Sequence, residues 1–180
     1  VSFRCAHHRH TFKSAKDNHI MMNLSRTNSV RPGNAQWTFE QVDDHTFKGS
    51  QNGMYFYAVV NQKIEGVRTI EGARQTFTLI DFEEGDKVVE LQIGFSYTST
   101  DKAKLNLQGE ILGKSFEQVR DMARQGWEDI LSKVKVTGGS ELQKSLFYSG
   151  LYRVLQNPNL RSDIDAKEGE EVYSSNNYWD

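Results

Sequence analysis

The segment VVELQIGF, residues 88–95, decides the fold class, because its apolar and polar side chains alternate. One face of the extended chain carries the apolar side chains of Val89, Leu91, Ile93 and Phe95. The opposite face carries Glu90 and Gln92. Alternation with a period of two residues is typical of a half-buried strand in an antiparallel sheet. We therefore predict a strand over 88–97 that buries one face in an apolar core.

Other segments within the first 110 residues have similar extended patterns. We predict further strands at 3–12, 19–24, 37–42, 54–61, 75–82 and 103–109. Segment 54–61, MYFYAVVN, is apolar on both faces, which suits a central strand covered on both sides. Turns are predicted at 32–33, 52–53 and 83–86. Many short strands at this spacing indicate a sandwich of two antiparallel sheets rather than alternating strands and helices.

The second part of the chain has helical spacing, because apolar side chains recur every three or four residues over 116–134 and again over 141–155. Each stripe follows a Ser-x-x-Gln capping box, which begins at Ser115 in the first case and at Ser140 in the second. A single helix cannot bury its own apolar stripe. We therefore expect the partners of the second helix to lie beyond residue 180.

Composition excludes several classes of protein. The 22 Lys and Arg residues nearly balance the 24 Asp and Glu residues, so no basic surface for nucleic acid is predicted. No apolar run approaches the roughly 20 residues that span a bilayer. The single cysteine excludes an internal disulfide. Because the sequence opens in a strand pattern without Met and ends with YWD, we expect it to be a piece of a longer chain.

Three of the five histidines lie in the segment CAHHRHTF near the N-terminus. On a strand, His8 and His10 share one face about 7 Å apart, and His7 points to the other face. A zinc or copper site needs a third ligand, and neither Cys5 nor Asp17 completes a recognised ligand spacing. We therefore predict that the histidines are polar strand residues that face solvent or a domain interface, and that Cys5 is an inert, buried thiol.

Three carboxylates near the end of the chain supply oxygen atoms of the kind that calcium prefers, those of Asp163, Asp165 and Glu168. Their spacing does not match an EF-hand, because neither the sixth-position glycine nor the twelfth-position glutamate follows Asp163. We therefore predict a solvated acidic loop here rather than a calcium site.

Several of these stretches together resemble glycoside hydrolase family 92, whose members are calcium-dependent, exo-acting α-mannosidases. The matching stretches are IGFSYTSTDKAKLNLQGEI (93–111), FEQVRDMARQGWEDILSKVKVTGG (116–139), KSLFYSGLYRVLQNPNLRSDID (144–165) and YWD (178–180). An R-x-x-x-HR-x-TF pattern also matches, through Arg4, His8, Arg9, Thr11 and Phe12. The chain departs from the family at Lys13, where a proline is usual, and at Ala166, where a glycine is expected. It also departs at 177–178, where Asn-Tyr replaces the usual Ser-Leu before the Trp-Asp pair.

The resemblance implies a fold that is mainly β with C-terminal helices. It implies an antiparallel β-sandwich over 1–112, a linker helix over 113–138 and the start of an (α/α)-barrel catalytic domain over 139–180, with the sandwich packed on its own barrel. It also implies release of terminal α-linked mannose from glycans with inversion. The general acid and the carboxylate base, about 6.5–9.5 Å apart in inverting enzymes, are expected beyond Asp180. Most of the roughly 6–8 oxygen ligands of the calcium ion, Ca2+, are also expected beyond Asp180.

Trp179 and Asp180 are the residues that match a sugar-contacting position of the family. The resemblance implies that the Asp180 carboxylate accepts hydrogen bonds from mannose hydroxyls and that the Trp179 indole packs nearby. Without the resemblance, the same pair equally suits the start of a helix, with Trp179 buried and Asp180 as its N-cap. The resemblance further implies mannose-containing glycans as partners and a secreted, periplasmic or cell-surface location.

Two other functions stay open at this point. A self-standing carbohydrate-binding or structural sandwich would bury the apolar stripe of 141–155, whereas a piece of a larger enzyme would leave that stripe exposed. A histidine-based metalloenzyme would depend on His8 and His10 as ligands.

Overall fold

Two antiparallel sheets, stacked as a sandwich, form the first part of the protein. The computed structural model describes residues 1–14, 16, 18–25, 35–72, 75–156, 159–167 and 172–174. The strands before the first helix are β1 (Cys5–Thr11), β2 (His19–Met22), β3 (Trp37–Gln41), β4 (Thr46–Gln51), β5 (Met54–Val60), β6 (Ile64–Glu71), β7 (Thr76–Phe82) and β8 (Val88–Ser96). One sheet has the order β1-β8-β5-β4-β3 and the other has the order β2-β7-β6.

The core of the sandwich lies between these sheets and uses alternate residues of β5 and of β8. Its buried members are Ala6, Leu24, Phe47, Phe56, Ala58, Val60, Ile64, Ile80, Phe82, Val89, Leu91 and Ile93. Phe47 is fully buried at the centre, stacked on Phe39 and edge-on to Phe56, with ring centroids 5.2 and 6.3 Å away. The predicted inward face of residues 88–97 is therefore confirmed, and the sandwich is confirmed with it.

Most predicted strands are confirmed to within two residues at each end, and within the two sheets of the sandwich two observed strands, β4 and β6, were not predicted. Strand β4 has the sequence TFKGSQ, in which Phe47 is the only large apolar residue. Strand β6 has the sequence IEGVRTIE, in which charged residues interrupt the alternation. Both strands form through pairing with apolar neighbours, β5 and β7, which a local pattern cannot show. The predicted turn at 32–33 lies outside the described residues.

The predicted strand at 103–109 is wrong, because these residues lie in helix α1 (Thr100–Glu110). Ser99 caps this helix by accepting a hydrogen bond from the backbone N–H of Lys102. The buried residues of α1 are Ala103, Asn106 and Leu107, which have the i, i+3, i+4 spacing of one helical face. The alternation of Lys and Leu in KAKLNLQ resembles the pattern of a strand. One position of the buried helical face is the polar residue Asn106, so the apolar residues alone do not show the helical spacing.

Two further helices follow, α2 (Phe116–Leu131) and α3 (Glu141–Leu155). Both predicted capping boxes are confirmed: Ser115 and Ser140 each accept from the backbone of the third helical residue, whose glutamine side chain accepts from the cap. After α3, β9 (Asn159–Leu160) pairs with β10 (Tyr173–Ser174). Among the described residues, none of the helices combines the length and the apolar character needed to cross a membrane.

The outer face of the five-stranded sheet carries a second, smaller core under the helices. Cys5, Leu107, Ile111 and Val119 are its buried members, and Tyr57 and Val59 of β5 pack against them. Strand β5 is therefore covered on both faces, as predicted. Gln92 of β8 joins this core to the chain between α1 and α2, because its Nε2 donates to the carbonyls of Ile111 (3.1 Å) and Lys114 (2.8 Å).

Helix α1 lies directly against β8 at Gly94, and this approach generates the first prediction. A Cβ atom added to Gly94 would lie 2.3 Å from the carbonyl oxygen of Ala103 and 2.8 Å from Cβ of Leu107. We expect Gly94→Ala to push α1 from the sheet and to lower the free energy of unfolding by about 1–3 kcal/mol, measured by denaturant titration.

The matched control is Gly66→Ala, in strand β6, where an added Cβ meets no atom within 4 Å. This control should change the free energy of unfolding by no more than about 0.5 kcal/mol. Equal stability of the Gly94→Ala variant and the wild type would contradict the close packing of α1 on β8.

Candidate functional site

The predicted sugar contacts, Trp179 and Asp180, lie outside the described residues. The segment that leads toward them is described over 159–167 and 172–174. It forms the β9–β10 hairpin, in which Leu160 pairs with Tyr173 and the N–H of Arg161 donates to the carbonyl of Val172 at 2.7 Å. The contacts that hold this hairpin on the rest of the molecule therefore form the candidate site that the structure describes.

The side chain of Asn106 is the centre of these contacts. Asn106 lies on the inner face of α1 and has no exposed surface. Its Nδ2 donates to Oδ1 of Asp163 and to the carbonyl of Phe95, both at 2.8 Å. Its Oδ1 accepts from the N–H of Ile164 at 2.8 Å. One amide thus joins the end of the sandwich, helix α1 and the turn after β9.

Arg4 holds the same turn from the sandwich side. Its Nε donates to the carbonyl of Ser162 at 2.6 Å, and its Nη1 donates to Oε1 of Glu110 at 2.7 Å. The second carboxylate oxygen of Glu110 accepts from the N–H of Arg4 at 3.0 Å. Arg161 adds a contact with the sandwich, because its guanidinium lies 4.2 Å from the ring centroid of Tyr97.

The predicted solvated loop at the acidic cluster is wrong for Asp163, which is 9% exposed and bonds Asn106. Asp165 is exposed, as predicted, and forms an ion pair with Lys102. This hydrogen bond from Lys102 lowers the pKa of Asp165. Glu168 lies outside the described residues. The sequence shows the acidic residues, but it does not show that α1 places the amide of Asn106 and the ammonium group of Lys102 beside them.

The described residues do not fit a calcium site. Within the part of the chain that the structure describes, no group of three or more His, Cys, Asp or Glu side chains is arranged to hold a metal ion. The carboxylates of Asp163 and Asp165 already accept hydrogen bonds from Asn106 and Lys102. We therefore derive no step through a metal ion from these residues.

The histidines have the predicted arrangement on β1. The rings of His8 and His10 stack with centroids 6.0 Å apart, and burial followed by the neighbouring His10 lowers the pKa of His8. His7 points to the opposite face, where it is buried. Its Nε2 lies 3.1 Å from Oε2 of Glu90, and its ring packs edge-on against Phe116 at the start of α2. His7 thus packs between the sheet and a helix.

Arg9 fastens the start of α2 to the sandwich. Its Nε donates to Glu90 at 2.7 Å, and its two terminal nitrogens donate to the carboxylate of Glu117 at 2.5 and 3.1 Å. The same guanidinium lies 4.4 Å from the ring centroid of Phe116. The hydrogen bonds from Arg9 lower the pKa of Glu117 from 4.5 to about 2. Two arginines of the predicted N-terminal motif, Arg4 and Arg9, therefore both bridge the sandwich and the later segments.

Cys5 is buried in the second core, which agrees with the predicted inert thiol. Burial, followed by the negative charge of Glu110, raises the pKa of Cys5 from 9.0 to about 12. At neutral pH the group is therefore a protonated thiol, which is a poor nucleophile and a poor metal ligand.

Helix α3 leaves its apolar stripe largely uncovered. Leu142, Leu146 and Val154 are 70%, 64% and 72% exposed, and the helix has no buried residue. Its contact with the preceding segment is limited to a few side chains: Tyr152 packs on Trp127 with ring centroids 4.5 Å apart, and the Tyr148 hydroxyl donates to the carbonyl of Val134 at 2.8 Å. This exposure is the outcome predicted for a piece of a larger helical domain.

Comparison with known proteins gives a family match for the second part of the chain and a shared fold for nearly all of it. Residues 102–180 match the glycosyl hydrolase family 92 catalytic domain. No curated protein matches the chain. A family 92 glycosyl hydrolase named ccman5 superposes with a TM-score of 0.82 at 22% identity, covering 100% of this chain and 28% of that structure.

Two mannosidases of Bacteroides thetaiotaomicron also have this fold. A family 92 α-mannosidase superposes with a TM-score of 0.78 at 19% identity, covering 97% of this chain and 27% of that structure. A family 92 inverting mannosidase of strain VPI-5482 superposes with a TM-score of 0.76 at 20% identity, covering 96% of this chain and 25% of that structure. The α-mannosidase has also been solved in complex with mannoimidazole. This chain spans about a quarter of the length of each structure. The structural similarity shows that the chain shares the fold of that part.

The Arg9–Glu117 pair generates a prediction of pH dependence. Because the folded state lowers the pKa of Glu117 from 4.5 to about 2, the pair stabilises the protein above pH 4.5 and loses its effect as the pH falls toward 2. We expect the Glu117→Gln variant to melt below the wild type at pH 6 in thermal unfolding followed by circular dichroism. The difference should shrink between pH 4.5 and pH 2.

Glu128→Gln, on the exposed side of the same helix, is the matched control and should melt like the wild type at both pH values. A difference between Glu117→Gln and wild type that stays constant from pH 6 to pH 2 would contradict the role given to this ion pair.

Proposed function

Because residues 102–180 of this chain match the glycosyl hydrolase family 92 catalytic domain, we propose that the chain is part of an enzyme of this family that releases terminal α-linked mannose from glycans. The observation that carries the proposal is this family match, over residues that pack directly on the sandwich through α1. The mannosidase structures that share the fold support the choice of mannose as the sugar. The exposed stripe of α3 supports an origin in a larger helical domain rather than in a self-contained sandwich module.

The proposed reaction is an inverting hydrolysis. A general acid protonates the leaving oxygen while a carboxylate base activates water on the opposite face of the sugar, and both groups are proposed to lie beyond Asp180. Within the present residues, Asp180 is proposed to accept hydrogen bonds from mannose hydroxyls, and Trp179 is proposed to pack beside the sugar. Hydrogen bonds to a charged group contribute about 1.5–3 kcal/mol, which makes Asp180 a binding residue of measurable effect.

A calcium ion is proposed to assist this reaction from a site outside the described residues. Calcium prefers oxygen ligands and binds sugar hydroxyls as well as carboxylates. The carboxylates of Asp163 and Asp165 already bond Asn106 and Lys102, so the ligands are expected elsewhere in the longer protein. The location is proposed to be secreted, periplasmic or cell-surface, where mannose-containing glycans are the partners.

The test uses a longer polypeptide, extended beyond Asp180 to the length of the family 92 structures. We expect it to release mannose from α-mannobiosides, to lose activity with a calcium chelator and to regain activity when calcium is restored. The 180-residue chain alone should release no mannose, because it contains neither the proposed acid nor the proposed base.

Within the longer protein, Asp180→Asn should lower kcat/KM by about tenfold to a hundredfold, because it removes the charged acceptor of the sugar hydroxyls. The Asp165→Asn variant, which changes an exposed ion pair of the turn after β9, is the matched control and should stay within about threefold of wild type. Mannose release by the 180-residue chain would contradict the proposed place of the acid and base. Absence of activity in the longer protein, together with glycan binding, would favour a non-catalytic carbohydrate-binding sandwich.

A further inference from the structure

We propose that His8 and His10 on β1 form a surface site for one divalent transition-metal ion of the class of Zn2+, Ni2+ and Cu2+. The two imidazoles supply two ligands, and water completes the coordination shell of the ion. The site is independent of the proposed hydrolytic function, and its ion is different from the proposed calcium ion. No catalytic step is assigned to it.

Strand β1 holds the two side chains at a fixed separation. All seven residues of the strand pair with β8, in a register that places His8 opposite Leu91 and His10 opposite Val89. Residues at positions i and i+2 of a strand lie on the same face, about 7 Å apart. Ala6, which precedes the pair on this face, is buried in the core of the sandwich. The backbone beneath the pair is therefore ordered before an ion binds, which lowers the entropic cost of binding.

The distance between the two rings suits chelation of one ion. Their centroids are 6.0 Å apart, and their planes differ by 18°. With metal–nitrogen bonds of about 2.0–2.1 Å, two imidazoles on one tetrahedral ion have ring centroids about 5 Å apart. The rings therefore need to approach each other by about 1 Å, which small rotations about the side-chain torsions provide without movement of the strand.

The ring nitrogens of this pair are available to an ion. Within the parts of the chain that the structure describes, neither His8 nor His10 has a hydrogen-bond partner. His8 is exposed and His10 is half-buried, so solvent reaches both rings. In contrast, His7 has a ring nitrogen 3.1 Å from Glu90, and His45 has one 3.2 Å from a backbone carbonyl. A neutral imidazole whose acceptor nitrogen is free is a metal ligand, and this face of β1 carries two of them.

The chemistry of the pair determines the class of ion. Imidazole nitrogens suit Zn2+, Ni2+ and Cu2+, whereas Ca2+ prefers oxygen ligands. Zinc centres in proteins usually have three or four protein ligands, so a site with two protein ligands binds more weakly and reversibly. Among the described residues, no third His, Cys, Asp or Glu side chain completes a metal-binding group with this pair. The remaining positions are therefore assigned to water.

The test is isothermal titration calorimetry of the 180-residue chain, purified without a histidine tag, with Ni2+ and separately with Zn2+. We expect one ion to bind per chain and to raise the melting temperature, because a ligand of the folded state stabilises that state. His8→Gln and His10→Gln should each weaken binding by at least about tenfold, because loss of a ligand costs at least as much affinity as loss of a group that orients one. Without metal, both variants should melt like the wild type, because neither ring has a hydrogen-bond partner among the described residues.

His19→Gln is the matched control, because His19 is exposed and is the only histidine of β2. It should leave the affinity for Ni2+ and Zn2+ unchanged, and Ca2+ should not compete with Ni2+ for the site. A second measurement locates the ion: in amide NMR spectra, paramagnetic Cu2+ should broaden the signals of His8 and His10 before that of His19.

Three results would overturn the proposal. The first is a wild-type chain that binds neither Ni2+ nor Zn2+. The second is an unchanged affinity in both His8→Gln and His10→Gln. The third is a loss of affinity in His19→Gln as large as the loss in the other two variants, together with Cu2+ broadening that does not begin on β1.

Discussion

Strand β8 is in contact with other elements on both faces, and the rest of the structure depends on this constraint. One face supplies Val89, Leu91 and Ile93 to the core between the sheets. The other face presents Gly94 to α1 at a distance that leaves no room for a side chain, while Gln92 bonds the chain between α1 and α2. Because one strand serves two cores, the sandwich and the first helix cannot separate without exposing apolar surface on both. The first helix of the helical segment, α1, is therefore held in place by its packing on the sandwich.

The sequence predicts the parts of the fold in which the local pattern and the final environment agree. The alternation in β8 and the two Ser-x-x-Gln capping boxes are examples, because a strand face and a helix cap each depend on a few neighbouring residues. The pattern fails at α1, where buried Asn106 looks like a surface residue and turns a helical period into an apparent strand. It also fails at β4 and β6, which contain few apolar residues and form because they pair with β5 and β7.

The candidate site is predictable to a smaller extent, because its contacts join distant parts of the chain. The histidine geometry on β1 follows from strand spacing and is confirmed. The acidic residues after β9 were predicted to be solvated, yet Asp163 is bonded by an amide 57 residues earlier in the sequence. Arg4 belongs to the N-terminal motif, but its partners Glu110 and Ser162 become visible only when the chain is folded. The roles of Trp179 and Asp180 stay predictions based on the family.

The sandwich and α1 should unfold as one unit, and amide hydrogen exchange tests this claim most directly. The amides of Leu107 in α1 and of Ile111, the C-cap of α1, should exchange with the same free energy of opening as those of Leu91 and Ile93 in β8, because both sets become accessible only in global unfolding. Exchange of the α1 amides with a free energy of opening lower by more than about 2 kcal/mol would show that the helix opens independently, and it would contradict the claim.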